Sequence, residues 1–129
     1  MSEAEKVTQT GRIKIADNVA AAIANIAAQE VEGVIKVIGS STSPISEMFG
    51  KRNLAKGVKV NMDEEGTNIE LSLVILHGVN IVKVGEEVQK SVKEAVESMT
   101  GIAVKNVDIT IADIVFEVKK EEEEAPEEE

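Results

Sequence analysis

Residues 69–101, IELSLVILHGVNIVKVGEEVQKSVKEAVESMTG, decide how the rest of the chain is read. Ile69, Leu71, Leu73 and Ile75 fall at the two-residue period of a strand with one face buried. His77-Gly78 makes the corner, and Asn80 offers a side-chain oxygen to a backbone N–H that the first turn of a helix leaves unpaired. Ile81, Val84, Val88, Val92, Ala95 and Met99 then recur at helical spacing. Glu86, Lys90, Lys93, Glu94 and Glu97 lie on the other side as a solvated, charge-laced face. Gly101 ends the helix, because a C-terminal glycine takes the left-handed conformation at no steric cost. A strand leading directly into an amphipathic helix implies a sheet with helices packed on it.

Working outward, Val58, Val60 and Met62 alternate with Lys59, Asn61 and Asp63, and Glu64-Glu65-Gly66-Thr67 supplies a turn back into the first strand, a hairpin signal. On the far side the last strand is expected from Ile102 to Val118, with Val107, Ile109 and Ile111 on one face. Asp113 breaks the parity and Ile114, Phe116 and Val118 resume on the other face, which predicts a bulge near Ala112-Asp113. Nearer the N-terminus, Ile13 and Ile15 alternate with Arg12 and Lys14. Asp17 is an expected N-cap, and Ala20, Ile23, Ala24, Ala27 and Val31 form a helical stripe that stops at Gly33. Val34 to Ile38 reads as a strand, and Gly39 to Lys56 as a long connection in which Ile45 to Leu54 has room for a turn or two of helix.

The order helix, glycine, β-branched strand occurs at Val31-Glu32-Gly33-Val34 and again at Met99-Thr100-Gly101-Ile102, so a strand-helix-strand plan is used twice. The expected fold is a two-layer α+β domain over residues 11–118, one mainly antiparallel sheet with two helices packed on one face. Residues 1–10 are expected to be a disordered N-terminal segment. Residues 119–129 are expected to form a disordered acidic tail, since Glu-rich sequence has no apolar area to bury.

Composition excludes more than it proposes. The 129 residues carry a formal charge of −10, but seven of the 24 acids fall in residues 121–129, and the body without them is only −3. Nothing offers nucleic acid a broad basic surface. There is no cysteine, hence no disulfide, thiolate metal site or Cys nucleophile, and there is a single histidine, His77. Val and Ile number 32 against four Leu, a bias that suits a pleated sheet. The longest apolar stretch, Leu71 to Val82, is 12 residues and includes His77, Gly78 and Asn80. That is well short of the ~18 to 20 that cross a bilayer. Met1 to Thr10 has acids near its start and no apolar run of a secretory signal, so a cytoplasmic protein without a membrane span is expected.

No group stands out as tuned for acid-base work, so no catalytic residue is expected. His77 is read as a corner residue that meets backbone or shields the sheet end. Asp63-Glu64-Glu65 lacks the ligand spacing of a calcium loop, and Gly78-Val79-Asn80 lacks the glycines of a phosphate cradle, so no metal or cofactor is expected. The solvent face of the sheet should carry Lys59, Asn61, Glu70, Ser72, Asp108 and Thr110. It has neither aromatic side chains nor net positive charge to hold RNA.

Two surfaces rise above this background. Met48 to Met62 holds Lys51, Arg52, Lys56 and Lys59, and the first three lie within the long connection. The first helix has no charged residue from Asn18 to Gln29, and Ala21, Ala22 and Ala28 lie off its core stripe. A helix without a charged side is expected to be covered on more than one face. Ala21, Ala22, Ala28, Lys51, Arg52 and Lys56 are therefore the candidate partner-binding residues, for a protein partner or a second copy in a homo-oligomer.

With the elements placed, the chain resembles the alkaline shock protein or Gls-type envelope stress response family of Gram-positive bacteria, from about Gly11 to Phe116. The resemblance is carried by Gly11-x-Ile13-x-Ile15, Glu30-Val31-x-Gly33-Val34, Phe49-Gly50, Gly57-Val58-x-Val60 and the corner His77-Gly78. It continues through Ile81, Val84, Val88-Gln89, Val92, Val96, then Met99-Thr100-Gly101-Ile102, and closes on Val107, Ile109, Ile111 and Phe116. It implies a small cytoplasmic, non-enzymatic protein of envelope homeostasis or stress, working near the membrane through a separate anchoring partner, with no catalytic residues to carry over. The segment from Phe49-Gly50 to Gly57-Val58-x-Val60 is closer to members connected with membrane lipid synthesis. That similarity implies the alternative of a stoichiometric regulator of a fatty acid synthesis enzyme. His77 stands where an aromatic is common before Gly78, and the Glu-rich tail lies outside the shared pattern.

Overall fold

The computed structural model describes residues 3–39, 57–63 and 65–116. In chain order the elements are β1 (Glu3–Thr8), β2 (Gly11–Ala16), α1 (Asp17–Gln29), β3 (Val34–Val37), β4 (Val58–Asp63), β5 (Gly66–Leu76), α2 (Ile81–Thr100) and β6 (Val104–Val115). The architecture is the expected two-layer α+β fold, mainly antiparallel, with both helices contributing to the same core.

β5 is the spine of the main sheet. β6 pairs with it from Thr67 to Leu76, in parallel, as two strands joined through a helix must when that helix carries the chain back to the starting edge. The opposite edge is shared end to end: β3 pairs antiparallel with Leu73–Ile75 and β4 with Gly66–Leu71. Ile38 N–H donates to Ser72 O (2.9 Å), and a Cβ built on Gly57 would lie 2.1 Å from Ile38 O and 3.0 Å from Gly39 Cα. The chain thus leaves this edge at Gly39 and rejoins it at Gly57 almost at the same point. Gly57, at φ +90°, is the residue that lets the two backbones touch.

The bulge predicted near Ala112-Asp113 is present. Leu73 pairs with Ile111 and Val74 with Asp113, so Ala112 is the extra residue. Asn80 accepts from Lys83 N–H (3.0 Å), and Gly101 closes α2 at φ +74° with its N–H on Glu97 O. The buried ridge of α2 is Val84, Val88, Val92, Val96 and Thr100, four apart throughout. The expected stripe leaves it at the C-terminal end, since Met99 is 71 % exposed. Thr100 takes that place because its hydroxyl donates to Val96 O (2.6 Å) and accepts from Ile102 N–H (3.1 Å), which removes the cost of burial.

Two further expectations are corrected. Residues 3–8 of the segment expected to be disordered form β1, paired residue by residue with β2 from Glu3↔Ala16 to Thr8↔Gly11. This is a second, two-stranded sheet beside the main one. Its ladder is main-chain, which needs no apolar alternation, and the turn is closed by Thr8 Oγ1 donating to Gly11 O (3.2 Å). Asp17, the expected cap, is instead the first residue of α1. The N-cap is Ala16 and makes no side-chain cap. Phe116 is the last residue described, so Val118 and the expected tail at 119–129 lie outside the described residues, as do Ile45 to Leu54.

Candidate interaction surface

α1 packs against α2, β4 and β3 at once. Its buried residues are Ala20, Ala21, Ala24, Asn25, Ala27 and Ala28, an arc well over a third of the helix circumference. Small side chains make this possible, because Ala allows close approach on adjacent sides without a clash. Ser91 Oγ reaches across to donate to Ala27 O (3.1 Å), and Gln29 Nε2 donates to the Oδ1 of buried Asn25.

That packing revises the expected binding residues. Ala28 is fully buried in its own chain, and Ala21 is buried at the floor of a pocket of ≈ 340 Å³ beside Asp17, Asn18, Val58 and Val60, so neither stands on the outer face of α1. The stripe of Ala20, Ile23, Ala24, Ala27 and Val31 is too narrow to include them, since two neighbours need room on α1 rather than one. Ala22 is half-buried on the solvent side. Lys51, Arg52 and Lys56 lie outside the described residues.

Around Ala22 the structure exposes residues not singled out from sequence. Val19 is 47 % and Ile26 46 % exposed, and Ile23 is half-buried beside them. Residues 19, 22, 23 and 26 stand at i, i+3, i+4 and i+7, the pattern of one helix face. The signal is present in the sequence, but the adjacent Ala-rich stripe carries the same period and absorbs Ile23. At its C-terminal end this face meets a groove of ≈ 550 Å³ between the end of α1 and the outer side of α2.

The other candidates resolve as structure. The ring of His77 stacks on Phe116 (centroids 4.5 Å, 18°), and its backbone N–H donates to Val115 O (2.7 Å), so it acts as a corner residue closing the sheet end. Lys59, Asn61, Glu70, Ser72, Asp108 and Thr110 do share the solvent face, in rows Lys59–Glu70–Asp108 and Ser72–Thr110, with Asn61–Asn68–Asn106 beside them. Asp63 accepts from the backbone N–H of Glu65 and Gly66, and Lys105 reaches both Asp63 (3.4 Å) and Glu65 (3.2 Å). The Glu65 N–H holds the Asp63 carboxyl below its ordinary range, and the carboxylates of Glu65 and Asp63 hold the Lys105 ammonium above its own. These are turn-closing contacts at the surface, worth little stability each. No cluster of three or more His, Asp or Glu side chains able to hold a metal ion occurs among the described residues. No helix among them is long and apolar enough to cross a membrane.

The family model of the alkaline shock proteins, described as having a cell envelope-related function, matches residues 5–116. The chain is 37 % identical over 115 residues to the uncharacterized protein YqhY of Bacillus subtilis (strain 168), covering 89 % of this chain and 85 % of that one. It is 29 % identical over 106 residues to the uncharacterized protein YloU of the same organism, covering 81 % and 88 %. It is also 32 % identical over 108 residues to the uncharacterized protein Spy1535 of Streptococcus pyogenes serotype M6, covering 83 % and 81 %. No solved structure matches the chain.

Proposed function

Since the chain belongs to the alkaline shock protein family, whose function is related to the cell envelope, we propose that it works as a non-enzymatic interaction protein of envelope homeostasis that docks a membrane-associated protein. The observation that supports this reading is the solvent face of α1. Val19, Ala22, Ile23 and Ile26 form an apolar stripe on a helix with no charge between Asn18 and Gln29. An amphipathic helix that serves only its own core puts charge on its outer face, as α2 does with exposed Glu86, Lys90 and Glu94. α1 instead keeps an apolar outer face in water, at a cost that a contact surface recovers on docking. Ala22 flanks the line from Val19 to Ile26, where a short side chain lets a partner backbone approach.

The test is capture of a membrane-fraction protein by the intact chain, identified by crosslinking in cells and repeated with Ala22→Glu. Loss of one specific crosslinked protein, with an unchanged melting curve, supports the reading. An unchanged crosslink pattern overturns α1 as the docking face. Saturable turnover of a substrate by the purified chain, abolished by one side-chain replacement, overturns the non-enzymatic assignment itself.

A further inference from the structure

We propose that the α1 face receives a Lys/Arg-rich amphipathic helix, its apolar side on Val19, Ala22 and Ile26 and its basic residues in the groove at the C-terminal end of α1. This rests on the interaction-protein reading above and specifies the chemistry of the partner.

The stripe from Val19 to Ile26 covers two turns, about 10 Å of helix. One turn further on, Ile26 gives way to Glu30, and the apolar face runs into the groove between α1 and α2. Half-buried Val31 and Ala95 contribute apolar lining there. Glu30, Glu32, Glu87 and Glu94 contribute four carboxylates against the one ammonium of Lys90. None of the four carboxylates takes part in the ion pairs found among the described residues. α1 also has no basic residue in its last turn, so the negative end of its dipole adds to the same field. The surface is therefore apolar along α1 and negative where α1 ends.

Charge complementarity selects among occupants. A second copy packed antiparallel on the same face brings no base to the four carboxylates, because α1 carries no Lys or Arg from Asp17 to Gln29. Packed parallel, Glu30 meets Glu30. The first arrangement leaves the acidic groove unmatched, and the second sets like charges together. Anionic lipid headgroups meet the same repulsion. A helix with apolar residues at i, i+3, i+4 and i+7, followed within a turn by Lys or Arg, satisfies both halves of the surface. That composition is common where membrane-spanning helices enter the cytoplasm.

The experiment is a fluorescence anisotropy titration of the full chain against a labelled synthetic peptide with four Leu at that spacing followed by three Lys or Arg. Two control peptides keep the charges but replace Leu by Ser, or keep Leu but replace the bases by Glu. The expected result is saturable binding of the first peptide, weakened at least about tenfold for either control. Ile26→Glu weakens it by a similar factor, and Glu30→Lys with Glu94→Lys does so while flattening its salt dependence. Equal binding of all three peptides, or indifference to both variants, overturns the proposal. So does sedimentation showing a dimer of the free chain that Ile26→Glu dissociates, which assigns the face to a second copy. An intrachain disulfide between Ala22→Cys and Phe49→Cys, readable because the chain has no cysteine, assigns it to residues 45–56 and also overturns the proposal. If Ala22→Glu loses the cellular partner while the peptide fails to bind, the interaction reading stands and only this chemistry falls.

Discussion

The side-chain amide of Gln89 donates to the carbonyl oxygen of Val107 across 2.9 Å, tying the middle of α2 to the main chain of β6. Lys93 and Glu97 continue the column one and two turns on. Lys93 Nζ donates to Val104 O (3.1 Å), and Val104 N–H donates to Glu97 Oε2 (2.9 Å). Residues 89, 93 and 97 are four apart, so a single row of α2 serves three main-chain groups of β6. At the other end of the strand the Ala112 bulge interrupts the ladder, and Asp113 Oδ1 accepts from the N–H of Ile114. β6 pairs only with β5 among the described residues, and its main chain is engaged at both ends by side chains. That blunts a long edge strand as a template for another chain.

Gln89→Ala removes one donor and leaves the Val107 carbonyl without it. The expected loss is about 1 kcal/mol, read as a lower urea midpoint at unchanged slope. An unchanged midpoint would mean that water replaces the amide at no cost.

Glu97 gives the domain an acid-sensitive contact. The hydrogen bond from Val104 N–H, helped by the Lys93 ammonium at 3.1 Å, holds its carboxyl below the ordinary glutamate range. Because the folded value is the lower one, the stabilisation is complete above the unfolded glutamate pKa and disappears as pH falls through the folded value. Melting temperature followed from pH 7 down to about 3 should therefore fall less steeply for Glu97→Gln than for the parent chain. Asp63, also lowered, contributes in the same direction and remains in both proteins, so the difference isolates Glu97. Parallel curves would show that the contact does not persist in solution.

Two glycines should respond in opposite senses. Gly57 has φ +90° and no space, since its Cβ would meet Ile38 O at 2.1 Å, so Gly57→Ala combines backbone strain with a backbone clash. A loss of about 3 kcal/mol or more is expected. Gly85 lies inside α2 with nothing within 4 Å of its Cβ. Gly85→Ala should gain about 0.5 to 1 kcal/mol by restricting the unfolded chain. Thermal denaturation of the two variants side by side checks both, and a stabilised Gly57→Ala would refute the end-to-end arrangement of β3 and β4.

Much of the fold is legible in the sequence because its signals are periodic or stereochemical. The β5 pattern, the Asn80 and Gly101 caps and the parity break at Asp113 each follow from one local rule. β1 is not legible, because Glu5, Lys6 and Val7 are all exposed and main-chain pairing with β2 leaves no trace in side-chain pattern. Met99 is misplaced for a different reason. An ideal helix rotates its apolar row gradually, and a hydroxyl that bonds its own backbone can be buried as readily as a thioether. At the candidate surface, sequence reasoning finds Ala22 but does not separate Ala21 and Ala28 from it, because alanine fits core and surface alike. Only the packing of α1 against both α2 and the β3–β4 edge decides which alanines lie inside.

That last distinction leads to a direct comparison of positions two residues apart. Ala24 is fully buried between α1 and its neighbours, whereas Ala22 faces outward. Leucine at 24 must push apart elements already in close contact, so Ala24→Leu is expected to cost about 1 to 3 kcal/mol. Leucine at 22 extends into solvent beside Val19 and Ile26, and Ala22→Leu should change stability by less than about 0.5 kcal/mol. Both variants keep good helix formers, so propensity does not account for a difference. Urea unfolding of the pair measures how α1 is oriented independently of any partner. Equal losses would place Ala22 inside and remove the surface on which the docking proposals stand.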